Sequence, residues 1–247
     1  MDIRIAETRN ELGKEAGRDI AVAIRKRLTE QREVRIIFAA APSQREMLET
    51  LVHEPGIDWT RVTAFHMDEY IGLPKDSPQR FSMWLRSAIF DRLPFAAVHL
   101  IDPGEDLEAT CREYAAKLME APIDLVLLGI GANGHLAFND PPANLDDPLA
   151  VKVVKLDDIC RQQQVDDECF DTFHAVPQSA ITLTVPSLLR GDMLFCCVPG
   201  SNKSKAVRAL VHDPISGECP ATSLRLHPRC TYYLDRESSA ELNTYVR

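Results

Sequence analysis

The sequence has no apolar run long enough to span a bilayer, and it does not open on a basic segment followed by an apolar one. It also lacks an excess of positive charge. The formal net charge is −9, and there is no basic stripe of the kind that binds a phosphate backbone. We therefore expect neither a membrane nor a nucleic-acid partner. An anionic substrate would need a site that is locally positive within a negative overall field.

The cysteine spacings typical of metal sites are absent as well. The seven cysteines are an odd number and contain no C-x-x-C pair. This usage is typical of reduced thiols in a cytoplasmic protein and argues against a structural zinc site. The chain also contains no low-complexity segment, internal repeat or convincing linker, so we expect a single domain over residues 1–247.

Short apolar runs alternate with amphipathic stretches along the chain. Periodicity predicts helices over 5–29, 46–52, 81–89, 107–119, 201–211 and 221–226. It predicts strands over 34–39, 62–66, 98–101, 124–128, 151–154, 181–185, 193–198 and 231–234, with a polar loop or short helix at 157–169 and a turn at 187–190. Such alternation predicts an α/β domain with a mainly parallel sheet covered by helices on both faces.

The stretch 125–142 organises the candidate site. A buried strand ends there in a glycine-rich loop through Gly129, Gly131 and Gly134, and an imidazole, His135, and a carboxylate, Asp140, follow. Open α/β sheets place their chemistry at such strand ends.

The same loop satisfies the dinucleotide-binding pattern G-x-G-x-x-G, and Asp157 lies at a suitable distance beyond it. That pattern is informative only where its last glycine opens a helix that holds the pyrophosphate. Pro141 and Pro142 leave no room for such a helix, so a nicotinamide or flavin site is disfavoured.

Three polar segments follow predicted strands and should meet at one sheet edge: 68–69, 133–140 and 201–203. Asp68 stands among apolar neighbours, which raises a carboxylate's pKa and suits a base for a carbon-bound proton, although a turn-capping role is also open. His135 and Asp140 suit a general acid–base pair, the alternative being a core histidine. Lys203 at a helix start could bind phosphate or be a solvated lysine, and Ser43 could add a hydroxyl or cap a helix.

Four blocks resemble the glucosamine-6-phosphate deaminase/isomerase family. They are FHMDEYIGLP at 65–74, GIGANGHLAFNDP at 129–141, PGSNK at 199–203 and SLRLHP at 223–228. Their order and spacing agree with the family, and the likeness extends from about Val34 to Asp235.

The resemblance implies a Rossmann-like fold and the conversion of an amino-sugar phosphate to a ketose phosphate and ammonia, without a metal or an organic cofactor. Asp68 would move a proton between C2 and C1 of the open-chain sugar, and His135 would assist ring opening with Asp140 as its partner and Asn133 beside it. Lys203 would hold the phosphate. The other implied substrate-binding positions are Ser43, Ala40, Ala41, Gly134 and Arg161.

Several positions depart from the family pattern. The usual phosphate loop, Gly-Gly-Thr-Pro or Gly-Ser-Thr-Pro, is replaced by Ala39 to Pro42, so that Ala41 removes a hydroxyl for which Ser43 could compensate. Asn133 stands where many members have Asp, and Asp140 where many have Glu. A family arginine aligns near Gln164, with Arg161 a turn away. The serines and arginine of allosteric members are replaced by Ala143, Asn144 and Ala150, so we expect no such regulation.

Two alternatives stay open at this stage. A sugar-phosphate lactonase of the sister family shares the glycine-rich loop with its Gly-His pair, although the block Met-Asp-Glu-Tyr at 67–70 argues against it. A non-catalytic sugar-phosphate sensor would fit the altered loop, although no helix-turn-helix precedes residue 34. The sugar epimer, the nature of the anionic group and assembly into a homo-oligomer are not determined by the sequence.

Overall fold

Seven parallel strands form the central sheet of this computed structural model, which describes residues 1–242. The strands of the chain are β1 Asp2–Ala6, β2 Val34–Phe38, β3 Val62–His66, β4 Asp68–Tyr70, β5 Ala97–His99, β6 Leu125–Leu128, β7 Val151–Lys155, β8 Ser179–Leu183, β9 Met193–Val198 and β10 Cys230–Asp235. The central sheet has the order β1-β10-β9-β6-β2-β3-β5, with every neighbouring pair parallel. The predicted fold class is confirmed.

Helices cover both faces of this sheet. They are α1 Arg9–Glu30, α2 Arg45–His53, α3 Phe81–Leu85, α4 Leu107–Met119, α5 Asp158–Asp166, α6 Val185–Leu189 and α7 Ser204–His212. One core cluster joins α1, α2 and α3 to the sheet, and a second joins α4, α6 and α7. Because β2, β3 and β6 lie between these clusters, all their residues are buried.

The first helix begins later than its apolar spacing predicts. Residues 2–6 form β1, which pairs with β10 at the edge of the sheet, and Ile5 is 53 % exposed there. The helix starts at Arg9 because Thr8 caps it: the Thr8 hydroxyl accepts the N–H of Glu11, whose carboxylate accepts the N–H of Thr8. The prediction that the helix begins at residue 5 was therefore wrong, because a strand precedes the helix.

A second, three-stranded antiparallel sheet has the order β4-β8-β7. The predicted strands 151–154 and 181–185 belong to it rather than to the parallel sheet. Alternating exposure along β7 is the pattern of a strand with one solvated face. The sheet places Asp68 in a short strand opposite Thr182, where a loop was expected.

Local differences occur elsewhere. The expected turn at 187–190 is part of α6, and the polar stretch 157–169 contains α5, whose first turn is capped by Asp157 Oδ1 accepting the N–H of Cys160 at 2.5 Å. The seven cysteines are free thiols. Among the helices of residues 1–242, none combines the length and apolar character that crossing a membrane requires.

Candidate active site

A cavity of about 220 Å³ lies at the carboxyl ends of β9, β6, β2 and β3, four neighbouring strands of the parallel sheet. The predicted residues Asp68, His135, Lys203 and Ser43 all line it, although they are distant in the chain. Parallel strands bring their following loops to one edge, and these four strands are adjacent, so their loops share a single opening.

Asp68 is the most strongly perturbed carboxyl group of this cavity. It is 6 % exposed, and its Oδ1 has no hydrogen-bond partner among the described residues. Burial raises the pKa of Asp68 well above its ordinary value, and the neighbouring carboxylate of Glu69 raises it further. A carboxylate with this environment is a stronger base than an aspartate in water, which suits proton abstraction from carbon.

This burial predicts a pH-dependent effect of Asp68→Asn on stability. Because the folded-state pKa of Asp68 is raised, its contribution to stability is present below the unfolded-state pKa and is lost as the pH rises through the folded-state pKa. Asparagine does not ionise, so the variant should match the wild type in acid and be more stable than it at higher pH. Chemical denaturation at a series of pH values measures the difference. A difference that does not change with pH would contradict the burial argument.

Glu69, the residue that follows Asp68, ties the site to the start of α3. Its fully buried carboxylate accepts the backbone N–H groups of Tyr70 and Phe81 at 3.0 Å and of Ser82 at 2.9 Å. The guanidinium of Arg80, also buried, lies 3.4 Å away. The sequence showed Glu69 only as a neighbour of Asp68, and its position inside the protein reveals a structural role.

His135 lies directly over Gly131. A Cβ at position 131 would come within 2.3 Å of the imidazole ring, so glycine is required for this close approach. His135 Nδ1 is 3.1 Å from Asp140 Oδ1, close enough for an ion pair but not aligned for a hydrogen bond. Burial by itself would raise the pKa of Asp140, but the contacts with His135, the N–H of Asp157 and Asn133 together outweigh it, and the pKa is lowered. The carboxylate is thus ionised, and it orients the imidazole.

Asn133 and Gly134 lie behind the histidine and do not line the cavity. Asn133 Oδ1 accepts the N–H of His135 at 3.1 Å, and its Nδ2 lies 3.4 Å from both Asp140 Oδ1 and Asp157 Oδ2. Gly134 has a φ of 85°, a conformation that favours glycine. Both residues shape the loop, and Asp140 likewise contacts His135 and does not line the cavity.

Lys203 is a buried residue of the cavity wall. It closes a single helical turn, Ser201–Lys203, that leads into α7. Its ammonium has no salt bridge within residues 1–242, and burial lowers the pKa of Lys203 while Asp167 opposes the change. The Gly200 N–H holds this turn by donating to both carboxylate oxygens of Asp235, at 3.0 and 3.2 Å. An unpaired cation at the cavity wall is suited to an anionic substrate group.

The altered phosphate loop also lines the cavity, through Ala40, Ala41 and Ser43. The Ser43 Oγ accepts a hydrogen bond from Gln44 Nε2 at 3.1 Å, and the same nitrogen donates to the Cys197 carbonyl at 3.2 Å. This buried glutamine holds the loop against β9. The Ser43 hydroxyl proton stays available as a donor.

Arg161 does not reach the cavity. Its guanidinium stacks on Phe173 at 4.0 Å and donates to the carbonyls of Phe173 and Val176 at 3.0 and 3.1 Å. Gln163 and Gln164 of α5 line the cavity in its place. Residues three apart lie on one face of a helix, so helical spacing alone could not decide whether Arg161 or Gln164 faces the cavity. The structure thus assigns Arg161 to the packing of α5.

The cavity contains one further cation that sequence reasoning missed. Arg9, at the start of α1, lines the same wall as the phosphate loop. Arg9 follows β1, but the sequence pattern placed it within a helix over 5–29, so the rule that located the other residues could not find it.

One cluster within residues 1–242 has the donor atoms for a metal ion. Those of His135, Asp140 and Cys160 lie within 4.8 Å of one another. The donor types would suit zinc. The contact between His135 and Asp140 already accounts for two of the three residues of this cluster.

A family model described as "Glucosamine-6-phosphate isomerases/6-phosphogluconolactonase" matches residues 7–232. The chain belongs to this family. Glucosamine-6-phosphate deaminases of Bacillus cereus (strain B4264) and Bacillus thuringiensis (strain Al Hakam) are 34 % identical to it over 183 residues, which are 74 % of this chain and 68 % of each relative. The resemblance drawn from the four sequence blocks is confirmed.

Solved structures of this family have the same fold. A monomeric glucosamine-6-phosphate deaminase superposes with a TM-score of 0.90 at 27 % identity, covering 97 % of this chain and 99 % of the other. The 6-phosphogluconolactonase of Thermotoga maritima superposes with a TM-score of 0.78 at 19 % identity, covering 95 % and 99 %. The second likeness concerns the fold alone.

Proposed function

We propose that this chain is a glucosamine-6-phosphate deaminase, which converts glucosamine 6-phosphate and water to fructose 6-phosphate and ammonia. The observation that carries the proposal is one cavity lined by a desolvated carboxylate, Asp68, an imidazole, His135, and an unpaired ammonium, Lys203. The deaminases of Bacillus that are 34 % identical to this chain support the same activity.

The roles follow from the position of each group. Lys203 binds the phosphate at one end of the cavity, which places the sugar carbons toward Asp68 and His135. His135, oriented by Asp140, exchanges a proton with the ring oxygen, and the sugar opens to the aldehyde.

Proton transfer then converts the aldose to the ketose. Asp68 removes the proton from C2, the bond electrons form the enolamine between C1 and C2, and the aldehyde oxygen takes a proton from His135. Asp68 returns its proton to C1, which leaves an imine at C2. Water adds to this imine and ammonia leaves, giving the ketose phosphate. Low exposure of Asp68 limits exchange of the carried proton with solvent.

Ammonia release from glucosamine 6-phosphate tests the proposal. The purified protein should release ammonia and form fructose 6-phosphate in equal amounts, and Asp68→Asn should not. Release no greater than that of the variant would defeat the proposal.

The family also contains lactonases, and the same cavity could bind 6-phosphogluconolactone. Hydrolysis of this lactone without ammonia formation from the amino sugar would establish the lactonase alternative. Binding of glucosamine 6-phosphate in calorimetry with neither product would establish a sensor. The base position of Asp68 favours the deaminase, because lactone hydrolysis needs no proton transfer between two carbons.

Lys203→Ala should weaken substrate binding more than it slows the reaction. If the ammonium contacts phosphate equally in the ground and transition states, KM rises while kcat changes little. A charge-assisted hydrogen bond of about 1.5–3 kcal/mol corresponds to a roughly 10- to 100-fold rise in KM. Steady-state kinetics measure it, with Lys205→Ala, an exposed lysine at the start of α7, as the control. An unchanged KM would remove Lys203 from the site.

A further inference from the structure

The phosphate end of the cavity is poor in positive charge. Among the described residues that line the cavity, Lys203 and Arg9 are the lysine and arginine side chains, and Asp167 places a carboxylate beside them. The hydroxyl that the family's loop usually supplies is replaced by Ala41, and Gln163 and Gln164 supply amides from α5 where an arginine would be expected. Because the carboxylate of Asp167 opposes the charge of Lys203, a phosphate dianion would gain from a second cation at this wall.

Two contacts hold the Arg9 side chain over the phosphate loop. Its Nε lies 2.8 Å from Glu46 Oε1, and its Nη2 donates to the carbonyl of Pro42. Both partners flank Ser43, so the guanidinium is positioned at the loop rather than extended into solvent. The side chain is still 42 % exposed, which leaves it open to a ligand.

The guanidinium keeps donors for a ligand. Its Nη1 has no hydrogen-bond partner among residues 1–242, and each Nη nitrogen carries two protons. Because Nε and Nη2 are already held, the side chain loses little further conformational entropy when its free donors bind an anion. Phosphate oxygens match its planar donors better than they match a single ammonium.

We propose that Arg9 is a second phosphate-binding residue of this enzyme and makes it selective for phosphorylated amino sugars. The inference rests on the proposed function for its substrate. Arg9 and Lys203 grip the phosphate from two walls of the cavity, and Ser43 adds a hydroxyl. The arginine of α1 thus replaces the binding groups that the altered loop and α5 no longer supply.

Calorimetry with inorganic phosphate and with fructose 6-phosphate tests the contact without turnover. Arg9→Ala should weaken the binding of both ligands by about 10- to 100-fold, as expected for the loss of charge-assisted hydrogen bonds. Arg9→Lys should recover part of the affinity, because lysine restores the charge but not the paired donors. The control is Arg18→Ala, an exposed arginine of the same helix outside the cavity, which should bind as the wild type does.

A Glu46→Gln variant separates ligand binding from a structural role. If Arg9 only fastened the loop through Glu46, this variant would lose affinity as Arg9→Ala does, and that result would overturn the proposal. If Arg9 binds phosphate, Glu46→Gln removes one of its two anchors but keeps the guanidinium and its Pro42 contact, so the affinity should fall much less than in Arg9→Ala. In kinetics, Arg9→Ala should raise KM for glucosamine 6-phosphate with kcat within a few-fold.

The two proposals can fail separately. Phosphate binding that depends on Arg9, together with no ammonia release, would overturn the deaminase function and support the Arg9 contact. Ammonia release with equal phosphate affinity in the wild type and Arg9→Ala would support the function and overturn the contact. A wild type that binds neither phosphate nor fructose 6-phosphate overturns the contact as well.

Discussion

Replacing Asp68 with asparagine is expected to lower kcat for ammonia release by about 10²- to 10⁴-fold, the usual contribution of a general base, with little change in KM. The two side chains have nearly the same size, so the cavity keeps its shape. Asparagine cannot take the C2 proton. Oδ1 of Asp68 has no hydrogen-bond partner among the described residues, so no hydrogen-bonded neighbour can take over as the base.

Two measurements separate this loss from a disturbed fold. Fructose 6-phosphate should bind to Asp68→Asn as tightly as to the wild type in calorimetry. Asp167→Asn removes a second carboxylate from the same cavity, at the Lys203 end, and should keep kcat within a few-fold. An Asp68→Asn enzyme that retains a tenth of the wild-type kcat would exclude Asp68 as the base.

The pH dependence of the wild type follows from the same residue. Asp68 must be deprotonated to accept a proton, so kcat/KM should fall as the pH decreases through its pKa. Because burial raises this pKa, the acid limb should lie well above the pH at which an exposed aspartate titrates.

Replacing Glu69 with alanine is expected to reduce the free energy of unfolding by about 3–5 kcal/mol, as when one partner of a buried ion pair is removed. The variant would leave Arg80 without its buried carboxylate partner, with only the half-exposed Asp102 beside it, and three backbone N–H groups without their acceptor. Each unsatisfied buried donor adds its own desolvation cost.

Urea denaturation measures this effect. Glu69→Gln keeps an oxygen acceptor but loses the charge, so its stability should lie between those of the wild type and Glu69→Ala. Glu113→Ala, at an exposed position of α4, should change stability by no more than about 0.5 kcal/mol. A loss below about 1 kcal/mol for Glu69→Ala would show that the buried network contributes little.

Strong local signals allowed much of the fold to be predicted. The bounds of β3, β9 and α4 are those that the apolar patterns predict, because each combines a clear period with turn-forming residues at its ends. Elements whose pairing is not local were misjudged. The edge strand β1 pairs with β10 at the opposite end of the chain, and β4 is only three residues long.

The two histidines near the site show why a sequence motif does not assign chemistry. His66 is closer to Asp68 in the chain than His135 is. Its Nε2 accepts the N–H of Ile101 at 2.7 Å, and burial lowers its pKa to about 3, helped by Arg80, so it stays neutral inside the core. His135 instead lines the cavity beside an ionised carboxylate.

The sequence by itself determined the α/β class, the family and the loops that follow the strands, because hydrophobic periodicity and motif spacing are local properties of the chain. Only the tertiary structure decided that Asp140 and Asn133 lie behind His135, that Arg161 packs against Phe173, and that Arg9 reaches the loop at Pro42. The burial of a side chain, its direction and the distance to its partner depend on which elements pack together. Those elements come from segments that are far apart in the chain.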